Sequence, residues 1–390
     1  MSLESDTSKN HKFSAHIESP RSASSKANSY DSGIDVVRFL AFFFVFLHHF
    51  VYRGGNSIMA ISTSFWNNPF ANSVSFFGSE GVTIFFCLSG YLLSRLLIKE
   101  FNDTGKVSVR SFYIRRILRI WPLYFCYVVF CLSAAPFLGN QAVRGEEIPS
   151  LITFTYNWQQ IYTGESRGMP AILWSISVEE QIYLVLPLLI LLFSRWGFKS
   201  LAFTLIIMGL IARVFFYANH LPMYRNTCSY LSTIGIGMLY SIYESKIKIS
   251  YGRRRLIINL VLGALVATYI VGFESIFSVG VFRIAAFDLT AIAAVFLLII
   301  FKGTESSSFG AALKPFAFLG RRTYGMYIFH WPILGLLVSK NIFFSSVTGI
   351  TFMGLVFAFL LVVSIASISY KFFEKPFLNL RMRYQYIKVG

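Results

Sequence analysis

Arg38 and His49 are candidate catalytic residues, because both are ionisable and both lie in the first long apolar stretch of the 390-residue chain. Eleven helical steps would leave their side chains about 20° apart around a helix and about 16 Å apart along it. Ionisable side chains inside a bilayer are costly and usually functional. The stretch therefore predicts a site with a permanent cation and a titratable base. The alternative for His49 is a histidine that only forms a hydrogen bond at the membrane interface.

The adjacent histidines are told apart by helical geometry. His48 would lie about 80° from Arg38 around the helix, on the side opposite to His49. A neutral imidazole can accept a proton from a hydroxyl group near neutral pH. We therefore predict that His49, and not His48, is the general base.

A second cluster of cations opens the third apolar stretch, where Arg115 and Arg119 are four residues apart and share a helix face. Guanidinium groups suit phosphate binding because their planar forks match its oxygens. Cationic anchors at the cytoplasmic end of a membrane helix are equally common. Both interpretations remain open.

Two adjacent carboxylates, Glu179 and Glu180, begin the fourth apolar stretch. They would point about 100° apart on a helix, so both cannot easily face lipid. One of them is predicted to pair with an arginine, and the candidates are Arg38, Arg213 and Arg283. A catalytic carboxylate and a purely structural ion pair are equal alternatives.

Three further segments carry weaker signals. Ser89-Gly90 predicts close helix packing, and a nucleophilic Ser89 is the weaker alternative because no base is visible beside it. His330, two residues before Pro332, either lines a cavity or bonds a carbonyl freed by the proline. Glu374-Lys375-Pro376 predicts the end and cap of the last apolar stretch.

The composition predicts the kind of protein that holds these residues. The chain is 55% hydrophobic and only 14% charged, with a mean hydropathy of +0.60, and soluble domains carry more charge. We predict an all-α, polytopic membrane protein of about ten transmembrane helices. The predicted spans lie near residues 34–52, 79–98, 118–138, 172–194, 200–218, 227–243, 256–273, 281–301, 323–342 and 347–370.

The distribution of basic residues predicts the orientation. Most of the 35 lysines and arginines lie in the N-terminal tail and in alternate loops, which places both termini in the cytoplasm. This pattern accounts for the net charge of +17 without a nucleic-acid partner. We predict a disordered cytoplasmic tail at 1–33, a membrane domain at 34–380 and a cytoplasmic tail at 381–390.

The loop at 139–171 contains Tyr156-Asn157-Trp158 and either folds back toward the bundle or forms an interfacial aromatic belt. The spacing of the four cysteines fits neither a disulfide framework nor a zinc site, and we predict no metal. Beyond residue 33 we expect no separate soluble domain.

Six local patterns, in order along residues 34–380, resemble acyltransferase family 3, the integral-membrane acyltransferases. Each pattern is weak alone, and the ordered set is specific. The patterns are Arg38 with ten residues before His49, Phe86–Tyr91, Arg115–Arg119 with Pro122, Trp174–Tyr183, Tyr324–Pro332 and Glu374–Pro376. The chain departs from the family at Phe39, where glycine is common, and at Thr83, where an acidic residue is common.

The resemblance implies transfer of an acyl group, commonly acetyl from acetyl-CoA, to a hydroxyl of a cell-envelope glycan or glycolipid. Acyl-CoA would be a co-substrate, and no permanently bound cofactor is expected. The protein would be a multi-pass protein of the cell membrane, which is the inner membrane in a Gram-negative source. The predicted roles are catalysis by His49, Arg38, Glu179 and Glu180, donor binding by Arg115, Arg116 and Arg119, and substrate contact by Trp174, Ser177, Tyr183 and His330.

Two rival functions share some of these features. Intramembrane arginine, histidine and glutamate also suit a transporter or a flippase of a lipid-linked glycan. A non-catalytic membrane scaffold would leave the costly intramembrane charges unexplained. The ordered patterns favour the enzyme.

Overall fold

All regular secondary structure in the described part of the chain is helical. The computed structural model describes residues 31–58, 69–134, 143–164, 168–247, 256, 280–304, 307–340 and 352–384. The helices are α1 (Ser32–Ile58), α2 (Pro69–Thr104), α3 (Val109–Ser133), α4 (Ile148–Ile152), α5 (Tyr156–Thr163), α6 (Trp174–Leu192), α7 (Phe198–Ala218), α8 (Leu231–Tyr243), α9 (Gly280–Phe301), α10 (Ser308–Gly320), α11 (Thr323–Ser339), α12 (Phe352–Ser369) and α13 (Lys375–Met382). The all-α prediction is confirmed for these residues.

Seven segments among the described residues are long and apolar enough to cross a bilayer. They are Ser32–Val51, Glu80–Thr104, Val109–Ser133, Met169–Leu192, Phe198–Ala218, Gly280–Phe301 and Met353–Met382. Two other predicted spans form shorter helices, α8 with 13 residues and α11 with 17. The predicted span at 256–273 lies outside the described residues except for Leu256, and so does the tail at 1–30.

Helix α1, which carries Arg38 and His49, packs against α2, α9, α10 and α11. Six of its residues are phenylalanines, and some of them meet aromatic rings of other helices. The Phe46 ring lies 5.5 Å from Phe359 of α12, and the Phe39 ring lies 5.5 Å from Phe316 of α10. The helix predicted to carry the chemistry is therefore buried among other helices.

The segment between the eighth and ninth predicted spans was expected to be a loop, and it contains helix α10 instead. Its 13 residues are too few to cross a bilayer. Apolar side chains at helical spacing give it one face to bury, and it packs against α1.

Glycine permits close contact between α2 and α8. A methyl group at Gly90 would lie 2.5 Å from the carbonyl oxygen of Ile234, and Gly237 lies against the backbone of Cys87. These helices therefore approach to backbone contact. The predicted packing role of the Ser89-Gly90 segment is confirmed.

The described parts of the predicted loop at 139–171 fold back onto the bundle. Tyr156 and Asn157 are fully buried. Gln181 of α6 donates a hydrogen bond to Asn157 Oδ1 at 2.8 Å, and Trp331 of α11 donates to the carbonyl of Gly168 at 2.9 Å. The first of the two alternatives for this loop is confirmed.

The predicted stop at Glu374-Lys375-Pro376 is wrong. Helix α12 continues through a π-helical turn, Tyr370–Glu374, into α13. Pro376 lies at the start of α13, directly after the π-helical turn, which changes the hydrogen-bond pattern where the proline has no N–H to donate. The chain therefore stays helical to Met382, and α13 packs against α3.

Candidate active site

A cavity of about 100 Å³ lies between α1, α2, α3, α6 and α11. Each of these five helices contributes residues from one of the patterns found in the sequence. The polar side chains that line the cavity are Arg38, Ser89, Arg116, Arg119, Ser175, Glu179, Tyr183, Thr323, Tyr324 and Tyr327. Segments far apart in sequence thus meet at one place.

The structure brings only part of the predicted set to this cavity. The predicted residues that line it are Arg38, Arg116, Arg119, Glu179 and Tyr183. The predicted residues outside its lining are His49, Arg115, Trp174, Ser177, Glu180 and His330. The cavity is therefore basic on its α1 and α3 sides and holds a carboxylate on α6.

Ser89 is a polar residue of the cavity that the sequence pointed to only weakly. Its hydroxyl donates to Glu179 Oε1 at 2.7 Å and lies 3.3 Å from the Tyr183 hydroxyl. Tyr183 also donates to Glu179 Oε1. The base that was not visible beside Ser89 comes from α6, 90 residues further along the chain.

The predicted ion pairs of the two glutamates are wrong for Arg38 and Arg213. Arg38 pairs with Asp35 one turn earlier on α1, at 2.7 Å, and Arg213 pairs with Asp288 of α9 at 2.5 Å. Arg283 is exposed on α9, and within the described residues it forms no ion pair with either glutamate. The acidic partner of Arg38 lies on the same helix, and that of Arg213 lies on another helix. The sequence alone could not show that these arginines pair with aspartates and not with Glu179 or Glu180.

Glu180 turns away from the cavity toward α3. Trp121 Nε1 donates to its Oε2 at 3.0 Å. Its other oxygen, Oε1, is buried without a hydrogen-bond partner in the structure. Glu179 and Glu180 therefore point in different directions, as adjacent residues on a helix must. Glu179 is the one that lines the cavity.

Arg115 occupies a structural position. It is 3% exposed, its Nη2 lies 3.7 Å from Glu100 Oε2, and its Nη1 donates to the carbonyl of Tyr384 at 2.7 Å. It joins α2, α3 and the chain after α13. Arg116, its neighbour, takes the place at the cavity instead.

Several arginines lie within electrostatic range of one another around the cavity. Arg381 of α13 interacts with four others, which are Arg38, Arg115, Arg116 and Arg119. The Nε atoms of Arg116 and Arg381 are buried without a hydrogen-bond partner. Arg381 was missed because it lies beyond the predicted end of the last span. Unmatched donors and like charges suit an anionic ligand.

His49 is paired with His330. Its Nδ1 lies 2.7 Å from His330 Nε2, and its ring lies edge-on to Trp331 at 4.8 Å. His330 Nδ1 lies 2.6 Å from the carbonyl oxygen of Tyr327. Because a carbonyl only accepts, His330 Nδ1 carries a proton, and in a neutral pair the lone pair of His49 is then on Nε2. His48 instead packs against Gly78 of α2.

Tyr327 separates the histidine pair from the cavity. It lines the cavity, its hydroxyl lies 2.6 Å from Ser175 Oγ, and its ring centroid lies 5.4 Å from that of His330. The arginine-lined cavity and the histidine pair therefore lie on two sides of Tyr327.

Two predicted substrate contacts pack elsewhere. The Trp174 ring lies 4.9 Å from Tyr224, and Ser177 is fully buried with its hydroxyl bonded to the carbonyl of Leu173 at 3.2 Å. Among the residues that the structure describes, no group of three or more histidines, cysteines and acids could hold a metal ion.

The chain resembles known proteins over most of its length. Residues 31–370 match the model of acyltransferase family 3, described as an acyltransferase domain. O-acetyltransferase OatA of Staphylococcus aureus (strain NCTC 8325 / PS 47) is 29% identical over 330 residues, and the match covers 77% of this chain and 52% of that protein. A putative O-acetyltransferase of S. aureus (strain COL) is 27% identical over 331 residues, with the same coverage.

Peptidoglycan O-acetyltransferase OatA of Listeria monocytogenes is 25% identical over 281 residues, which are 66% of this chain and 45% of that protein. The chain thus spans about half the length of these relatives. No solved structure matches it.

Proposed function

Because the chain belongs to acyltransferase family 3, we propose that it is a membrane O-acetyltransferase. It moves an acetyl group from acetyl-CoA to a hydroxyl of a cell-envelope glycan or glycolipid. The observation that carries the proposal is the single cavity in which residues of the family patterns from five helices meet. Relatives named as O-acetyltransferases, one of them for peptidoglycan, support the acetyl group and the glycan.

The basic side of the cavity suits the donor. Acetyl-CoA carries several phosphate charges, and Arg38, Arg116 and Arg119 line the cavity with Arg381 in electrostatic range. Charge-assisted hydrogen bonds to phosphate are among the strongest in proteins. The buried Nε donor of Arg116 would gain the partner that it lacks in the structure.

Ten spans with both termini in the cytoplasm would expose this basic side to the cytosolic donor. Helix α3 begins at Val109, next to the basic loop that the positive-inside rule places in the cytoplasm. The acceptor would then approach from the other side of the cell membrane, near the histidine pair. Engineered single cysteines in 139–171 and 303–322, with the four native cysteines replaced, test this orientation. Labelling of 303–322 but not 139–171 by an impermeant reagent on intact cells would contradict it.

The histidine pair suits the acceptor. His49 Nε2 takes the proton of the acceptor hydroxyl as that oxygen attacks the acyl carbonyl. His330 holds the tautomer, because its own Nδ1 is tied to the Tyr327 carbonyl.

The test is turnover by the purified protein in lipid nanodiscs, with radiolabelled acetyl-CoA and soluble peptidoglycan fragments. We expect release of CoA together with alkali-labile acetyl groups on the fragments. The flippase alternative is tested in liposomes, where transfer of a lipid-linked glycan between leaflets without acetyl-CoA consumption would replace the proposal. Absence of acetyl-CoA turnover with every envelope glycan supplied would also reject it.

A further inference from the structure

Ser89, Glu179 and Tyr183 form a hydroxyl–carboxylate–hydroxyl group at the cavity wall. Ser89 donates to Glu179 Oε1 at 2.7 Å, and Tyr183 donates to the same oxygen. One oxygen of Glu179 thus accepts from both hydroxyls, and a carboxylate in this position can take up a proton from either of them. Glu179 is therefore placed to take the Ser89 proton, while Tyr183 keeps the carboxylate in position.

This arrangement has the parts of an activated nucleophile, which are a hydroxyl, a base within hydrogen-bond reach and a third group that orients the base. The backbone beside Ser89 is also fixed, because Gly90 is pressed against the Ile234 backbone. Arg116 lies over the Tyr183 ring, 5.6 Å from its centroid, and lines the same cavity. Arg116 thus contacts the residue that orients the base.

The position of His49 adds an independent observation. His49 does not line the cavity that holds the arginines, whereas Ser89 does. An acyl group carried into this cavity by a phosphate-bearing donor therefore meets the serine hydroxyl first. The histidine pair lies next to Tyr327, which lines the cavity, so an acceptor held between Ser89 and His49 would lie along Tyr327.

We propose that Ser89 is acylated by the donor and carries the acyl group as an ester to the acceptor. In the first half-reaction Ser89 Oγ bonds to the thioester carbonyl carbon, its proton passes to Glu179, the C–S bond breaks and CoA leaves as the thiolate. In the second half-reaction the acceptor oxygen bonds to the same carbon, and its proton passes to His49 Nε2.

The C–Oγ bond then breaks, and Glu179 returns the proton to Ser89. The proton released from His49 matches the one that the CoA thiolate takes up, so no other reactant is needed. Glu179 is the base of the first half-reaction and His49 is the base of the second. Two bases are therefore needed, one on each side of Tyr327. This two-step route rests on the proposed donor and acceptor.

The experiment is acid-quenched labelling of the nanodisc protein with radiolabelled acetyl-CoA and no acceptor. We expect the label to approach one acetyl group per protein and to map to the peptide that contains Ser89. Ser89→Ala should lose the label and at least about 100-fold in transfer to peptidoglycan fragments. Ser94→Ala is the matched control, because Ser94 lies on the same helix, is fully buried and makes no hydrogen bond in the structure. It should keep both.

Ser89→Cys supplies a second variant that keeps a nucleophile at this position. It should retain the label as a thioester, which neutral hydroxylamine releases while the wild-type ester resists. Label that resists hydroxylamine in Ser89→Cys, or full transfer by Ser89→Ala, would overturn the acyl-serine. Transfer by the wild type without covalent label would leave the proposed function standing and reject the serine alone. No acetyl-CoA turnover by the wild type would reject both.

Discussion

Two regions of the molecule bury arginine in different ways. Arg213 is fully buried and bonded on both terminal nitrogens, to Asp288 at 2.5 Å and to Ser232 Oγ at 2.6 Å, with its guanidinium 5.1 Å from the centre of the Phe287 ring. Arg116 lines the cavity, and among the described residues it has no ion-pair partner such as Asp288 is to Arg213, although the Nε atoms of both arginines are buried without a hydrogen-bond partner. One charge is matched within the protein, and the other is not.

The difference separates a structural charge from a ligand-binding one. Charges inside a bilayer are stabilised by partners, so a matched arginine holds helices together and an unmatched one is available to a ligand. By this criterion α7, α8 and α9 are joined by Arg213, while Arg116 and Arg119 of α3 face the cavity. The histidine pair lies next to the cavity, because His330 contacts Tyr327, which lines it.

The largest expected effect is on catalysis. We expect His49→Ala to lower acetyl transfer by about 10²- to 10⁴-fold while membrane abundance is unchanged, because the change removes the base and not a buried ion pair. His48→Ala is the matched control and should be the milder change. The measurement is acetyl ester formed per unit of membrane-inserted protein. A reversed ranking of the two histidines would move the base to His48.

The next effect is on stability. Arg213→Ala breaks the ion pair between a fully buried guanidinium and the half-buried Asp288, which should cost up to about 3–5 kcal/mol of folding stability. We expect a lower melting temperature and less monodisperse protein after extraction. The double variant Arg213→Leu with Asp288→Leu should recover most of the loss, because an apolar pair needs no charge partner. If Arg213→Ala folded normally but lost donor binding, Arg213 would be a ligand-binding residue and not a structural one.

A smaller effect is expected on donor affinity. Arg119→Ala removes one charge-assisted contact worth about 1.5–3 kcal/mol, or roughly ten- to a hundredfold in affinity for acetyl-CoA. Arg283→Ala is the control, since Arg283 is exposed on α9 and does not line the cavity. Calorimetric titration of the folded variants with CoA measures both. Equal affinities would remove Arg119 from the donor site.

The smallest effect is expected at Arg381, which does not line the cavity and acts on it through charge. Arg381→Ala should weaken CoA binding by about two- to fivefold, corresponding to roughly 0.5–1 kcal/mol for one partly screened charge. The loss should shrink at high salt, because screening reduces its contribution in the wild type. A loss that is independent of salt would indicate a direct contact in its place.

Much of the candidate site followed from local patterns. Arg38, Arg116, Arg119, Glu179 and Tyr183 were predicted and line one cavity. Their residue types are rare inside apolar helices, so each stands out in the sequence. The partner of each residue was harder to predict. Asp35, Asp288 and Trp121 were not foreseen as partners of Arg38, Arg213 and Glu180, because a span pattern carries no information on which helices touch.

The sequence by itself determined that this protein is a helical membrane bundle and which ionisable residues enter it, because hydropathy and charge are local properties of the chain. Only the tertiary structure decided that Ser89 meets Glu179, that His49 pairs with His330, and that Arg115 and Glu180 turn away from the cavity. Those outcomes depend on how helices distant in sequence rotate and pack against one another. A rotation of about 100° per residue moves a side chain from a cavity to a helix contact.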